Sequence, residues 1–305
     1  MAVPMRSTDF RAIVEPVLNK EFDGIYNQRD DEQSQVFKEF TGTPRNYHEE
    51  PVLFGMGAAP ELPDGMPVTY DAGGVLFIAR YIYKVYGLAF ALTKVLVEDG
   101  DHIRIGATYS RHLAQSLVET KETLGANILN RAFNASYTGG DGKELCATDH
   151  PIASGSTFSN ELTTPAALSQ TSLEQMLIQI RNAVDNNGKR IRLTPTQIVT
   201  GPSNVFQAEV LLKSALRTGA ANNDVNPVNT MNLLKKGQAN LSRITSTTAW
   251  WVQTDVSEGL KLAKRRGLEK SMEGDFDTDS MRYKSSERYA FGWTDPRGMF
   301  GTAGV

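Results

Sequence analysis

No proline occurs between Asp99 and Phe133, and this stretch constrains the fold more than any other part of the chain. Apolar residues recur there on one helical face, namely Leu113, Leu117, Leu124, Ile128 and Ala132. Polar and charged residues occupy the positions between them, which is the pattern of an amphipathic helix. At 1.5 Å per residue the predicted helix is about 45 Å long. Such a helix spans a whole domain, so the remaining elements must be arranged along it.

The most apolar stretch, "GGVLFIARYIYKVYGLAFALTKVLV", precedes this helix. It is interrupted by Arg80, Lys84 and Lys94 and is rich in aromatic and β-branched residues. A membrane helix needs about 20 mostly apolar residues with few charges, so the stretch predicts strands instead.

The first 75 residues are polar and irregular by comparison. A Ser-Thr-Asp start signal and helical spacing from Phe10 to Leu18 are interrupted by Pro16, which predicts two short helical pieces. The following segment, "RDDEQSQVFKEFTGTPRNYHEEP", resembles an extended arm with little core of its own. Residues 51–75 contain four prolines and a Pro-Asp-Gly-Met-Pro turn, which predicts a long, projecting, two-stranded loop.

The second half of the chain has a compact α/β pattern. Ser172 and Gln175 form a capping-box signature for a helix that we expect to end at Asn186-Asn187-Gly188. A buried strand ("TPTQIVTG"), a second helix ("PSNVFQAEVLLKSAL"), an Asn-rich exposed loop ("TGAANNDVNPVNT") and a strand ("ITSTTAWWVQT") follow. Near the end, Tyr289, Phe291 and Trp293 alternate with small residues as in a strand. The predicted fold class is α+β.

Composition excludes several classes of protein. The net charge of −3 argues against an avid nucleic-acid binder, although local contact with nucleic acid stays open. A single cysteine, Cys146, cannot form an intrachain disulfide and suits a reducing compartment. Residues 1–20 lack a signal-peptide pattern, so we expect a soluble intracellular protein with no membrane association.

One candidate for chemistry is the segment "CATDHP", in which Cys146 and His150 suggest a nucleophile with its base. Asp149 and Asn160 are possible orienting groups. A zinc site would need two further ligands from His48, His102, His112 or carboxylates. The alternative interpretation is a small buried thiol beside a His-Pro turn, and we favour it: no catalytic residue, cofactor or metal is expected.

Three other motifs fail a physical requirement or stay ambiguous. "GDFDTDS" places Asp275, Asp277 and Asp279 as in a calcium loop, but Ser280 and Ser286 replace the required Gly and Glu, so an acidic strand edge is favoured. "GMGAAPELP" partly resembles a dinucleotide-binding fingerprint, but that motif must open a helix, and Pro60 and Pro63 prevent a helix here. The basic cluster "KLAKRRGLEK" suits a phosphate backbone, a solvated face or an acidic neighbour.

The segments "DGKELCATDHP", "PTQIVTGPSNVFQAEVLLKSALRTGAANNDVNP" and "ERYAFGWTDPRGMFG" resemble the major capsid (major head) proteins of tailed bacteriophages. The nearest group is the phage Mu type of head subunit, and the resemblance covers roughly residues 95–305 and is looser before them. It implies the Hong Kong 97-like capsid fold and a structural, non-enzymatic role in an icosahedral shell around double-stranded DNA. The location implied is the virion, and the host bacterial cytoplasm during assembly.

The resemblance also implies a division of the chain. The N-terminal arm corresponds to 1–45, the extended loop to 46–95, the peripheral domain with its spine helix to 96–150, the axial domain to 151–255, and returning peripheral strands with the C-terminus to 256–305. The implied partners are further copies in hexamers and pentamers, a scaffolding protein, a portal, possibly a cement protein, and packaged DNA through non-specific contacts. The terminal segment from Tyr289 to Phe300 is then expected to return beside the spine helix to a subunit boundary.

Two departures from relatives qualify this. No helical segment precedes Asp9, so we expect a separate scaffolding protein and little or no processing. No lysine occurs between Lys38 and Lys84, which argues against a lysine cross-link from the extended loop. Two alternatives stay open: an encapsulin-like compartment shell, and a cysteine-dependent hydrolase using Cys146 and His150.

Overall fold

The long helix predicted from the sequence forms the axis of the structure. The computed structural model describes residues 7–27, 31–93, 95–96, 102–217, 224–275 and 280–305. Helix α2 runs over His102–Asn130, 29 residues and about 43 Å, and the predicted start at 99–101 lies outside the described residues. Its apolar face is buried at Leu113, Leu117 and Leu129. The prediction of a spanning amphipathic helix is confirmed.

The other elements have the following bounds. The remaining helices are α1 (Ser7–Tyr26), α3 (Gln170–Arg181), α4 (Val205–Lys213) and the short α5 (Pro227–Thr230). The strands are β1 (Lys38–Thr41), β2 (Tyr47–Phe54), β3 (Gly74–Ile82), β4 (Lys84–Leu92), β5 (His150–Pro151), β6 (Thr157–Phe158), β7 (Pro195–Thr200), β8 (Gly237–Asn240), β9 (Trp250–Thr254), β10 (Leu260–Asp275), β11 (Ser280–Trp293) and β12 (Met299–Thr302). Single 3-10 turns lie at Glu32–Gln35, Pro202–Asn204 and Pro296–Gly298.

The first sheet has the strand order β1-β10-β11-β4 and lies along α2. The strands β10 and β11 are 16 and 14 residues long and pair antiparallel, and β11 pairs antiparallel with β4. Side chains of β11 alternate between the two faces, so that Tyr283 and Tyr289 are buried on the side of α2. The apolar stretch that precedes α2 forms β3 and β4, as predicted.

Helix α1 is continuous through Pro16, so the prediction of two separate helical pieces was wrong. Val14, Leu18 and Phe22 are buried in one cluster with α2. The Ser110 hydroxyl donates to the Leu18 carbonyl at 2.7 Å. Proline removes one backbone hydrogen bond from a helix, a local loss that packing of a whole apolar face outweighs here.

The segment after α1 is not a coreless arm, which corrects a second prediction. Val36 and Phe37 are buried, and the Phe37 ring lies edge-on to Phe291 with centroids 5.0 Å apart. β1 then pairs in parallel with β10, with Lys38 opposite Lys261. Because the partner strand lies more than 200 residues away in the sequence, local pattern did not reveal the pairing.

Strands β2 and β3 form the predicted two-stranded projection, with residues 55–73 as its loop. At the tip, the Met66 N–H donates to the Pro63 carbonyl at 3.1 Å. Gly65 has φ +79°, the left-handed conformation that this turn requires at its third position. The turn predicted from Pro-Asp-Gly-Met-Pro is therefore confirmed.

The second sheet has the order β12-β9-β7-β8, with α3 and α4 packed beside it. The N-cap of α3 is Ser169, whose side chain closes a capping box with Ser172, so the predicted box at Ser172 and Gln175 was displaced by one turn. The helix ends at Arg181, and 186–188 instead form a turn between Val184 and Arg190, so the predicted Gly cap was wrong.

Other predictions in this half have mixed outcomes. β7 and α4 lie where expected, whereas β9 starts only at Trp250, because 244–249 are irregular with a bend at 247–248. Part of the Asn-rich loop (218–223), and Asp277 and Asp279 of the acidic edge, lie outside the described residues.

The chain end is part of the second sheet. β12 pairs antiparallel with β9, and Met299 and Phe300 are fully buried. The expectation that this end returns with the first-sheet strands to a boundary of the subunit is thereby corrected for residues 299–302. The end of the chain is rich in aromatic residues because they pack in the core of the chain itself.

We expect Phe300→Ala to destabilise the protein by about 3–5 kcal/mol, because it removes a buried aromatic and leaves a cavity. The matched control is Phe206→Ala, since Phe206 is 83% exposed, and its effect should stay within about 0.5 kcal/mol. The measurement is the urea midpoint followed by tryptophan fluorescence. Equal losses in both variants would contradict the placement of β12.

A buried carboxyl joins α2 to the segment before β1. Glu122 is buried, and its Oε2 accepts the Gln33 N–H at 3.0 Å. Burial raises the pKa of Glu122 to about 7, with Asp31 and Glu32 contributing in the same direction and the Gln33 hydrogen bond opposing. The folded state therefore binds this proton more tightly than the unfolded chain does.

We expect this group to make the protein less stable as pH rises from about 4.5 to about 7, because the folded-state pKa is raised. Glu122→Gln keeps an acceptor for Gln33 but does not titrate. The wild type should lose stability relative to this variant between about pH 5 and about pH 8, measured as urea midpoints. A difference between the two proteins that does not change with pH would contradict the assignment.

Candidate functional site

Cys146, the predicted nucleophile, is enclosed in the core. Its thiol is fully buried, and its backbone N–H donates to the Ala132 carbonyl at 2.8 Å. A Cβ on Gly301 would lie 2.3 Å from the Trp251 ring and 3.1 Å from the Cys146 sulfur, so only glycine fits between them. Burial raises the pKa of the Cys146 thiol well above its usual value. The thiolate needed for nucleophilic catalysis is disfavoured.

His150, the predicted base, is fully buried with both ring nitrogens engaged. Its Nε2 lies 3.0 Å from the Asn160 Oδ1, and its Nδ1 lies 2.6 Å from the Asp141 Oδ2. Because Asn160 Oδ1 is an acceptor, Nε2 carries the proton in this contact. The ring stacks on Phe158 with centroids 4.9 Å apart. No nitrogen of His150 is free to take a proton from a substrate.

Asn160 is the centre of this buried network. Its Nδ2 donates to the carbonyls of Leu145 (2.7 Å), Met299 (2.9 Å) and Pro296 (3.0 Å), and its Oδ1 also accepts the Ala147 N–H at 2.8 Å. The sequence named Asn160 as an orienting group, and the structure does bring it to His150. Its contacts tie "ELCATDH" to the terminal "DPRGMF", which makes the network a cross-brace between two distant segments.

The other orienting candidate, Asp149, does not belong to this network. It is exposed and forms an ion pair with Lys143. Asp141, which the sequence did not single out, takes the position beside His150. No local signal distinguishes these two aspartates, since only the fold of the 139–150 loop decides which one faces inward.

Arg297 is a buried charged residue of this region that the sequence motifs did not indicate. It is 4% exposed, its Nε donates to the Val184 carbonyl at 2.7 Å, and its guanidinium lies 4.2 Å from the centre of the Phe158 ring. The Asp295 carboxylate accepts the Arg297 N–H at 2.9 Å. The sequence signal for this role is an arginine inside an otherwise apolar terminal segment. Arg297 holds the terminal turn in place.

The remaining metal candidates are not brought together. His48 lies 3.3 Å from Glu50 on β2, and the side chain of His102 lies outside the described residues. Over the described ranges, no group of three or more His, Cys, Asp or Glu side chains is arranged to hold a metal ion. No helix in these ranges combines the length and the apolar character that a membrane span needs.

In contrast to the enclosed network, the projection formed by β2, β3 and the 55–73 loop displays apolar side chains to solvent. The large exposed ones are Leu53, Met56, Leu62, Met66, Val68, Tyr70, Val75, Ile78 and Ile82. Tyr70 is 97% exposed. Contiguous apolar surface of this kind is typical of a face that another protein covers.

The base of this projection is held firmly to the rest of the chain. The side chains of Asn186 and Asn187 donate to the carbonyls of Leu53 (3.0 Å) and Gly55 (2.6 Å), and the Lys189 ammonium donates to the Met56 carbonyl at 2.8 Å. The turn at 186–188 that interrupts the predicted helix cap thus supports the loop. Its apolar side chains are presented in a defined direction instead of collapsing onto the core.

An ion cluster around buried Lys261 fixes the middle of β2 to the first sheet. Lys261 on β10 contacts Glu50 of β2 at 2.6 Å and also contacts Glu258. Burial alone raises the pKa of Glu50, but hydrogen bonds from Lys261 and Thr294 outweigh it and lower the pKa overall. The carboxylate stays ionised and holds the hairpin to the first sheet.

We expect Cys146 to resist a thiol reagent in the folded protein, because its thiol is fully buried. As Cys146 is the single cysteine of the chain, labelling with dithionitrobenzoate measures this one site. Tyr70→Cys is the matched control, and it should add one fast-reacting thiol per chain. Fast labelling of Cys146 in the native wild type would contradict the enclosed geometry and reopen the hydrolase interpretation.

A sequence model of a family described as phage capsid protein matches residues 81–301. No curated protein matches the chain. Among solved structures, the capsid of the cyanophage P-SCSP1u is similar with a TM-score of 0.55 and 14% identity, covering 87% of this chain and 85% of that one. A Mycobacterium phage Patience structure has a TM-score of 0.54 and 11% identity, covering 98% and 90%.

A virus-like particle from Pyrococcus furiosus has a TM-score of 0.50 and 10% identity, with 94% of this chain and 98% of that one covered. At such identities the likeness establishes the fold, and the family match covers well over half of the chain. The enclosed cysteine, the mixed α and β architecture along one long helix and the exposed apolar projection agree with that match. This chain belongs to the phage capsid protein family and has the Hong Kong 97-like fold.

Proposed function

We propose that the chain is the major capsid protein of a tailed bacteriophage, and that its copies assemble into the icosahedral head shell that encloses the double-stranded DNA genome. The observation that carries the proposal is the firmly held projection whose apolar side chains no part of its own described chain covers. Within a shell, a neighbouring copy supplies the missing surface. Burying one such side chain contributes about 1.5–3 kcal/mol.

In this proposal the structural segments take the roles of the capsid fold. The arm comprises 1–45, the extended loop 46–95, the peripheral domain 96–150 together with the returning strands from 256, and the axial domain 151–255. Three pairings qualify these ranges: β12 joins the second sheet, whereas β1 of the arm and β4 of the extended loop belong to the first sheet. α2 is then the spine helix.

The proposed partners are other copies in hexamers and pentamers, a separate scaffolding protein, a portal and possibly a cement protein. Contact with packaged DNA is non-specific, in keeping with the net charge of −3. The chain acts in the virion, after assembly in the host cytoplasm, and closeness to the phage Mu type of subunit is part of the same proposal. Since no lysine occurs between Lys38 and Lys84, stability comes from contacts rather than from lysine cross-links.

The other two functions are less well supported. An encapsulin-like compartment is consistent with the fold likeness to the Pyrococcus furiosus particle, but the matched family is that of phage capsids. A cysteine hydrolase conflicts with the buried thiol and the fully engaged imidazole. We infer a structural role without catalysis.

We expect the wild type, expressed with its scaffolding partner, to form closed uniform shells by negative-stain electron microscopy. Replacing three exposed loop residues together (Leu62→Ser, Met66→Ser and Tyr70→Ser) should leave the folded subunit intact but abolish shells, because apolar contact area is lost. Val305→Ser is a control, since Val305 is exposed outside the loop. A wild type that stays monomeric with its scaffold, or a triple variant that forms normal shells, would contradict the proposal.

A further inference from the structure

The face of the first sheet that points away from α2 carries an unusual alignment of cations. Arg266 on β10 is paired across the sheet with Arg288 on β11, and Arg288 with Val85 on β4. Paired residues share one face, so the three side chains form a row. Like charges directly opposite one another are destabilising unless an anion lies near them. Glu269 neutralises Arg266 at 3.2 Å, and the Ser286 hydroxyl accepts from it at 2.8 Å.

Arg288 has no such partner. Its side chain forms no hydrogen bond or ion pair with the residues that the structure describes. Three arginine Nε atoms, those of Arg265, Arg266 and Arg288, and the Tyr83 hydroxyl are buried in this region without a hydrogen-bond partner in the described chain. Arg266 lies directly opposite Arg288 in the sheet, and the charges of Arg265 and Arg288 both lower the pKa of Tyr83 against the larger effect of burial.

Buried donors without acceptors are rare and cost about 1–3 kcal/mol each. The three arginines lie on neighbouring strands with Tyr83 beside them, and this arrangement suits an anion that another molecule supplies. A planar carboxylate is the group that a guanidinium binds best through paired hydrogen bonds.

The surface beside Arg288 is shaped for an extended peptide. On β4 the residues that share its face are Gly87, Ala89 and Ala91, all exposed and all small. Lys284 on the same face is exposed and makes no ion pair with a described residue. Because the side chains on β4 are small, a chain without secondary structure meets little obstruction along this strand, and we call this surface the trough.

The 55–73 loop of a second copy has the matching chemistry. No lysine or arginine occurs between Arg45 and Arg80, whereas Glu61 and Asp64 lie at the loop tip. Both acids are exposed and neither is ion-paired within the described chain. The loop has no helix or strand and contains three prolines, so it is presented as an extended segment.

We propose that Arg288, flanked by Arg265, Arg266 and Tyr83, receives the carboxylate of Glu61 or Asp64 from the loop of a second copy. The segment around that acid lies in the trough along β4. The inference rests on the proposed function and names the contact residues for it.

A nucleic-acid phosphate suits this face less well. Exposed Val85 stands in the same row as the arginines, and Glu269, Glu273 and Asp275 lie on β10 beside them. These acids offset part of the positive charge of the face, so it suits a single carboxylate on a segment with apolar side chains better than a run of phosphates. Avid DNA binding also needs a larger basic excess than this chain has.

The first test reverses the charges. Arg288→Glu, and separately the pair Glu61→Lys with Asp64→Lys, should each lower the yield of closed shells at least about tenfold, because like charges then face each other at the contact. Combining the three substitutions in one chain should restore shells. Arg282→Gln is the matched control, because Asp275 already neutralises Arg282 on the same face, and it should assemble like the wild type. The Arg288 side chain makes no hydrogen bond or ion pair within its own described chain, so we expect each variant to fold. Circular dichroism verifies that it does.

The second test keeps the charges and measures proximity. Leu62→Cys and Val85→Cys are combined, and assembled shells are treated with a short bis-maleimide. Buried Cys146 does not compete. Covalent ladders longer than dimers are expected only from the combined variant, and their absence in well-formed shells would overturn the proposed contact.

The outcomes separate the two proposals. Shells from wild type and equally from Arg288→Glu would overturn this inference while leaving the capsid function intact. A wild type that never forms shells would overturn the capsid function itself. If Arg288→Glu makes normal empty shells that retain less DNA, the site binds phosphate and the loop contact is wrong.

Discussion

The pairing of β10 with β11 is the interaction on which the rest of the structure depends. These two strands are long enough to pack on α2, to pair with a further strand at each edge and to connect the two sheets. One face of the pair buries Tyr283 and Tyr289 against α2, so the sheet and the long helix stabilise each other. The edge of β10 accepts β1, and the edge of β11 accepts β4. At its far end the strand pair leads into the terminal turn that enters the second sheet.

The same arrangement explains how a chain with an ordinary composition can expose so much apolar surface without misfolding. Its interior is closed by distant contacts, such as those from Asn160 to the carbonyls at 145, 296 and 299. Residues 55–73 add no buried side chain to that interior, and the strands that carry them are held by 186–189, by the Glu50–Lys261 pair and by Tyr81 of β3, which contacts Thr294. A loop attached in this way is free to contact another copy. Loss of its side chains should therefore affect assembly more than folding.

The sequence predicted the elements whose signals are local. The period of Leu113, Leu117 and Leu124 defines α2, and the Pro63–Met66 turn follows from the need for a positive φ at Gly65. The exposed projection was predicted because four prolines interrupt any helix there. These features depend on residues within a few positions of one another.

Features set by distant contacts were not predictable in the same way. Whether α1 continues through Pro16 depends on its packing against α2, and whether β1 forms depends on β10. Ser169 and Ser172 are equivalent as cap residues by type, and only the docking of α3 selects Ser169. The candidate site shows the same limit: Cys146 and His150 were suggestive as a pair, while burial and the partners of His150 determine that they have a structural role.

The central claim is that a neighbouring copy covers the exposed projection. The most direct measurement is a cryo-electron microscopy reconstruction of the assembled shell, in which the exposed fraction of Tyr70 is compared with its 97% in the single chain. We expect Tyr70 and the surrounding apolar side chains to be largely buried against a second copy. A closed shell in which the 55–73 loop still extends into solvent would contradict the account.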